Sequence, residues 1–384
     1  MRDLRLFLKG LLLGVPLVLL LVRVNYAVDG SAILRGDKYE LEIATAWLDG
    51  KAVGNFDNTI NERSVMRLYV ENLEGSLGTL VLGSSRAMQI TAAIAGEEGA
   101  FFNAGMTGAD RKDILSTFYL FDRADKLPQN LVISADPWLL FDSDATLNFR
   151  SDDNLYREFL RERLGYDVEY VPEDDSVRRE ALTSVAYFQE NILYHFPDHS
   201  SDARPSILPD QLLDYDFDIR NSDGTQLYAA TYRNRPQGDV DVDALVLTGV
   251  DYSQLYGFTE VSADLAGQLE DFIAYAENRG VEVTLIFTPF HPVYWDKLAS
   301  DPDYCAVIPA EQTLREIAAR TGADVYGSYN PTTANCTNED FYDGLHIRRE
   351  SIANYFPGIG KELPPPEIVP EDVAEGESDT VENA

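Results

Sequence analysis

Cysteine is nearly absent: Cys305 and Cys336 are the only two in 384 residues, too few for a disulfide scaffold. One bridge between them and a pair of unbridged buried thiols both fit. Neither has a Cys or His at short ligand spacing, which argues against a zinc site, and no metal or other cofactor is expected. Basic residues are also scarce, with 31 Lys+Arg against 65 Asp+Glu and a formal net charge of -34. Such a field repels nucleic acid backbones and anionic lipid surfaces, so nucleic acid is not an expected partner. It suits solubility in a salty medium, where repulsion is screened, or a specific cationic partner. Histidine is limited to His195, His199, His291 and His346, so few residues are available as a neutral-pH base.

A long uninterrupted apolar stretch is missing too. Arg2, Arg5 and Lys9 precede thirteen uncharged residues, 10–22, and Arg23 follows. As a helix these cover about 20 Å, short of a hydrocarbon core about 30 Å thick. Counting from Leu6 to Val28, with Lys9 and Arg23 snorkelling, gives a membrane span. The basic start then favours a cytoplasmic N-terminus with the bulk of the chain outside. A cleaved signal peptide is the rival, but Tyr26-Ala27-Val28 offers no small-x-small cleavage pattern; a buried amphipathic helix is the third alternative. The reading adopted is an uncleaved signal anchor over residues 1–28.

What is present is a chain long enough for a large core, 45 % hydrophobic. Residues 29–75 form a membrane-proximal segment, with a short helix expected from Tyr39 to Leu48. Apolar runs at 79–82, 131–133, 244–247 and 281–287 suit strands covered on both faces. Leu265, Leu269, Phe272, Ile273 and Ala276 recur at helical spacing and end in Asn278-Arg279-Gly280, an amphipathic helix with a glycine stop. Residues 311–320 repeat the pattern, with Pro309 near the start and Gly322 beyond. Residues 86–95 have helical composition. The alternation predicts an α/β fold with an open, mostly parallel sheet flanked by helices. The main domain spans 76–360. Residues 142–240 break the rhythm, with a turn at Asn221-Ser222-Asp223-Gly224, and read either as an insertion that shapes a substrate groove or as long surface loops. Residues 361–384 hold three consecutive prolines and eight acidic residues against one basic, the composition of a disordered tail.

Two short segments carry chemistry. Val81-Leu82-Gly83-Ser84-Ser85-Arg86 reads as a strand entering a tight turn with two hydroxyls at its tip. Asp343-Gly344-Leu345-His346 offers a carboxylate and an imidazole three residues apart, 261 positions beyond Ser85. A serine hydroxyl needs a base to take its proton, and an imidazole held in one tautomer by a carboxylate is such a base. Separately, each segment is as well explained by a common turn or an exposed loop. His195 and His199 lie among polar residues, and their spacing is weak support for metal binding.

In order and setting these segments resemble the SGNH (GDSL-like) hydrolase superfamily, over roughly residues 75–135 and 240–355. Gly83-Ser84-Ser85 stands for the family's Gly-Asp-Ser, making Ser85 the nucleophile. Asn103-Ala104-Gly105-Met106-Thr107-Gly108 is similar to its Asn-x-x-x-x-Gly segment, which would join the Gly108 amide to that of Ser85 in an oxyanion hole. Asp343 and His346 would complete the triad. The family's Gly-x-Asn has Ser134-Ala135-Asp136 as its counterpart. An ionised Asp136 there would repel an oxyanion, unless it binds a sugar hydroxyl or caps the backbone near Pro137. The basic start, the anchor and the Asp-Gly-x-His look most like the membrane-anchored branch related to the D-alanyl-lipoteichoic-acid protein and the alginate O-acetylation proteins.

That resemblance implies a single-pass protein of a bacterial cytoplasmic membrane. It would be an extracytoplasmic serine O-acyltransferase or esterase acting on an acylated polysaccharide or envelope polymer beside a membrane-bound O-acyltransferase. The alternative is a non-catalytic binding or assembly component of such a complex. Arg86, Asn103, Asp136, His291 and Trp295 are the further candidates for substrate binding. For Arg86 an ion pair with an acidic side chain such as Asp136 is preferred over a substrate anion. His291 and Trp295, in Thr288-Pro289-Phe290-His291-Pro292-Val293-Tyr294-Trp295, suit either a pocket wall or an aromatic plug.

Overall fold

The computed structural model describes residues 2–29, 34, 38–54, 60–96, 99–142, 153–170, 176–193, 205–209 and 217–356. His195, His199 and the acidic tail at 361–384 lie outside these residues.

The fold is α/β. Among the described residues nine strands fall in chain order: β1 Lys51–Gly54, β2 Thr79–Leu82, β3 Phe101–Asn103, β4 Asn130–Ser134, β5 Ser206–Pro209, β6 Ile219–Arg220, β7 Gln226–Leu227, β8 Glu282–Phe287 and β9 Asp324–Gly327. Five make a wholly parallel sheet in the order β3-β2-β4-β8-β9. Successive side chains of a strand face opposite ways, and both faces here are covered. Leu80, Leu82, Leu131, Ile133 and Leu285 enter the larger core, with Phe118, Phe272, Ile273, Leu314 and Ile317 from the helices Arg111–Arg123, Ala263–Asn278 and Val307–Thr321. Val81, Val132 and Ile286 enter the smaller one, with Ile90, Phe341, Ile352 and Phe356. Double coverage is why these strands read as unbroken apolar runs.

Two departures from the sequence reading concern the architecture. A second, antiparallel sheet in the order β5-β1-β6-β7 joins β1, from before residue 75, to strands from the 142–240 region. The fold is thus not a single open sheet. The run 244–247 is no strand: it belongs to the helix Gln237–Thr248, where Val240 and Ala244 are buried while Leu245 and Val246 are about 60 % exposed. Four apolar residues do not distinguish a strand from part of a helix.

The N-terminal reading is corrected as well. Residues Arg2–Val28 are helical with Pro16 inside, but no helix among the described residues is long and apolar enough to cross a membrane. This overturns the transmembrane anchor and the single-pass placement in a bacterial cytoplasmic membrane. The uncharged run was too short by itself, and beyond it the chain turns polar. Asn25 is buried and its Nδ2 donates to the carbonyls of Ala181, Leu182 and Ser184 at 2.9, 3.2 and 3.0 Å. The Tyr187 hydroxyl donates to Asp29 Oδ1 at 2.6 Å. These side-chain bonds tie the end of this helix to the pair Ser176–Thr183 and Val185–Leu193.

Candidate active site

The site lies beyond the carboxyl ends of β2 and β4, where the sheet order reverses and open α/β sheets bind ligands. β2 ends at Leu82, and Gly83 follows with φ 156°. A Cβ on Gly83 would stand 2.6 Å from Ser134 Cβ and 2.9 Å from Ala87 Cβ, so only glycine lets the two strand ends press together. Gly83→Ala is expected to cost about 1–3 kcal/mol through overpacking, read as a lower urea midpoint, and to displace the turn that follows.

That turn is not the helix its composition suggested. Residues 84–90 form successive tight turns, with Ala87 N donating to Ser84 O at 2.9 Å and Ile90 N to Ala87 O at 3.0 Å, and helix is confined to Ala92–Ala95. The buried Asn103 explains the difference. Its Nδ2 donates to the carbonyls of Ala87 and Ile90 at 2.9 Å each, and its Oδ1 accepts from Gly105 N at 2.9 Å. These bonds hold the Ala87 and Ile90 carbonyls toward Asn103 and fix the segment in its turns. Asn103 thus ties the turn to the end of β3, and its amide is wholly engaged.

The two hydroxyls have different fates. Ser84 is buried, and its Oγ donates to Asp136 Oδ2 at 2.7 Å. Ser85 Oγ lies 2.8 Å from His346 Nε2, and His346 Nδ1 lies 2.8 Å from Asp343 Oδ2. A short antiparallel bridge between Phe341 and Ile347, with Tyr342 N donating to His346 O at 2.8 Å, closes the loop that carries both residues. Gly344 sits against the helix Gln237–Thr248, where a Cβ would meet Leu247 Cδ2 at 2.7 Å. The loop is therefore clamped, and the triad side chains remain accessible: His346 is 20 % and Asp343 24 % exposed.

Asp343 accepts four hydrogen bonds. Oδ1 takes the amides of Leu345 and His346 at 2.7 Å each, and Oδ2 takes His346 Nδ1 and the Tyr232 hydroxyl, the latter at 2.5 Å. Burial would raise its pKa, but His346 first, then Tyr232 and the Leu345 amide, hold it well below the ordinary carboxylate range. An ionised Asp343 accepts from Nδ1–H, so Nε2 is the lone-pair nitrogen facing Ser85. Burial of the imidazole works against its charged form, yet the Asp343 carboxylate outweighs this and the His346 pKa lies above its usual 6.5.

Arg86 and Asp136 form a buried pair behind the triad, with Nη1 2.8 Å from Oδ1. Arg86 also donates through Nε to Leu345 O at 3.3 Å, through Nη2 to Thr288 O at 2.5 Å and Pro289 O at 2.9 Å, and lies 3.9 Å from the centre of the Phe290 ring. Burial pushes the Asp136 carboxyl upward, and the Arg86 charge and Ser84 hydroxyl oppose it. With one oxygen on Arg86 and the other on Ser84, Asp136 neither caps the backbone near Pro137 nor offers a free charge.

The other candidates are placed differently. Gly108, at φ 60°, follows a loop held to the sheet by Ala104 N donating to Val81 O at 2.8 Å and Met106 N to Gly83 O at 2.9 Å. His291 is fully buried and caps the helix Pro292–Ser300, its Nδ1 accepting from Val293 N at 3.3 Å. Its Nε2 is 3.3 Å from Asp241 Oδ1, an ion-pair separation without hydrogen-bond alignment. Burial lowers the His291 pKa, and with Nδ1 taken by the cap and the side chain out of solvent the ring is a structural element. Trp295 lines a cavity of about 750 Å³ with Ile308, Arg315 and Asn330, and no triad residue borders it.

Sequence reasoning missed Tyr228 and Tyr232. The turn at 221–224 packs on β3, with Asn103 N donating to Asp223 O at 2.8 Å, and Gln226 N donates to Met88 O at 2.9 Å. The segment after β7 is thereby carried over the triad. Tyr228 meets His346 edge-on at 6.1 Å between ring centres, while Tyr232 reaches Asp343. Tyr228 and Tyr232 are four residues apart, the only signal available, and such a pair in a polar stretch has no distinguishing pattern.

Cys305 is exposed and Cys336 buried, and both are free thiols. Among the described residues no group of three or more His, Cys, Asp or Glu side chains is placed to hold a metal ion. No family model matches the chain, and no curated protein matches it. This corrects the resemblance to the SGNH superfamily and to its membrane-anchored branch, which rested on segments of three to six residues. The envelope polymer, O-acyltransferase and membrane partners that the resemblance implied fall with it. The geometry of Ser85, His346 and Asp343 stands independently of any family.

Proposed function

We propose that the chain is a serine-nucleophile acyl-transfer enzyme, an esterase or an acyltransferase. The observation that carries this is the continuous Ser85–His346–Asp343 relay, with both links at 2.8 Å. Ser85 Oγ attacks an ester carbonyl while His346 Nε2 takes its proton and Asp343 stabilises the imidazolium. Collapse of the tetrahedral intermediate breaks the bond to the leaving alcohol, which receives that proton from His346. Water or a second hydroxyl, deprotonated by His346, then attacks the Ser85 ester; collapse breaks the acyl–Oγ bond, His346 returns the proton to Ser85, and the acyl group leaves on the acceptor.

The Ser85 amide is the proposed donor to the oxyanion, with the Gly108 amide as the second. Among the described residues neither amide has a protein hydrogen-bond partner. Asp136 is no obstacle to a developing negative charge, because Arg86 and Ser84 occupy both its oxygens. A fluorophosphonate probe tests the proposal. Labelling is expected in the wild-type chain and lost in both Ser85→Ala and His346→Ala; labelling that survives Ser85→Ala refutes it.

A further inference from the structure

We infer that Tyr232 is a positioning residue of the triad, the outermost member of a Tyr232–Asp343–His346–Ser85 hydrogen-bond chain. The Tyr232 hydroxyl and His346 Nδ1 converge on the same carboxylate oxygen, Asp343 Oδ2, at 2.5 and 2.8 Å. The two backbone amides on Oδ1 come from the loop itself, so Tyr232 is the donor to Asp343 that arrives from a separate element, the short helix Ala230–Arg233. Its ring is fixed by neighbours: Tyr228 at 5.1 Å edge-on, Tyr342 at 5.7 Å and the Arg235 guanidinium at 5.5 Å. Arg348 Nη1 donates to Arg233 O at 2.8 Å, tying the helix to the histidine loop.

Two consequences follow from a second donor on Oδ2. The carboxylate cannot rotate without breaking both bonds, which holds the imidazole toward Ser85. The donor also spreads the negative charge of Asp343, which tempers its pull on the His346 proton. Burial and the facing carboxylate raise the Tyr232 pKa, so the phenol stays protonated and donates throughout the working range. Other charged or titratable groups bear on the same pair. Arg86 and Asp136 act on His346 with opposite signs, and Tyr228, Tyr252 and His291 face Asp343. Tyr232 differs from all of these in sharing an acceptor atom with the imidazole.

Tyr232→Phe removes the hydroxyl and keeps the ring. The remaining carboxylate is more basic toward His346, so the His346 pKa is expected to rise by about half a unit. In function the inference rests on the acyl-transfer reading. The acid limb of kcat/KM for p-nitrophenyl acetate should move upward by the same amount, about a threefold loss at a fixed pH on that limb. Imidazole NMR titration of the full chain, with His346 assigned through His346→Gln, reads the shift without requiring turnover. A chain inactive on the ester with a shifted His346 titration thus sinks the acyl-transfer reading alone. In an Asp343→Ala background Tyr232→Phe should leave the His346 pKa unchanged, closing a double-mutant cycle. An unmoved titration and acid limb in Tyr232→Phe, or an equal shift in both backgrounds, would overturn the inference.

Discussion

Ser85→Ala and His346→Ala are each expected to lower kcat for p-nitrophenyl acetate by about 10⁶-fold, and the double variant by little more, because the two groups act as a unit. Asp343→Asn should cost about 10⁴-fold by leaving the wrong imidazole tautomer toward Ser85. Ser84→Ala is the informative control. Its hydroxyl faces Asp136 rather than His346, so its removal should cost stability of about 1–3 kcal/mol through the unsatisfied carboxylate and leave fluorophosphonate labelling in place. The pH profile of the wild-type chain follows from the raised His346 pKa. The base must be neutral to accept the Ser85 proton, so kcat/KM should fall as pH drops through a value above 6.5. An acid limb below 6.5 would contradict the role given to Asp343.

The second large effect concerns the buried pair behind the triad. Arg86→Met leaves Asp136 without a counter-charge where neither side chain is more than 2 % exposed, and breaking such a pair costs about 3–5 kcal/mol. Against a typical total stability of about 5–15 kcal/mol this is a large share, visible as a lower Tm and urea midpoint. Asp136→Leu alone should be similarly costly, since Arg86 is then the unpaired ion. Combining them removes both charges, and much of the stability should return. Activity should not return with it. Arg86 Nε also holds Leu345 O, the carbonyl next to His346, and Met cannot replace that bond. A double variant that regains both stability and kcat would show that Arg86 serves packing only.

Much of the scaffold was legible because it obeys local rules. β2, β4 and β8 stand where the apolar runs placed them, and the helix Ala263–Asn278 follows the spacing of Leu265, Leu269, Phe272 and Ala276. The helix Val307–Thr321 ends at Gly322 with φ 98°, the left-handed stop that a glycine supplies. The failures have equally definite causes. Residues 244–247 lacked the length to show a period. The run before Asn25 suggested a membrane span because its polar end finds its hydrogen-bond partners more than 150 positions away. Residues 86–95 looked helical because nothing local reveals that Asn103 will take their carbonyls.

The candidate site divides along the same line. By itself the sequence determined the inventory: a glycine in the tight turn after a strand, two adjacent hydroxyls beyond it, and an aspartate and histidine close enough to share a loop. These are short-range properties of residue type and spacing. Only the tertiary structure decided which hydroxyl meets the imidazole, that Arg86 and Asp136 neutralise each other, that His291 caps a helix and that Tyr232 completes the shell of Asp343. All but the His291 cap, whose partner Val293 is two positions away, depend on contacts between segments 50 to 261 positions apart, where local spacing carries no information and packing alone sets the distance.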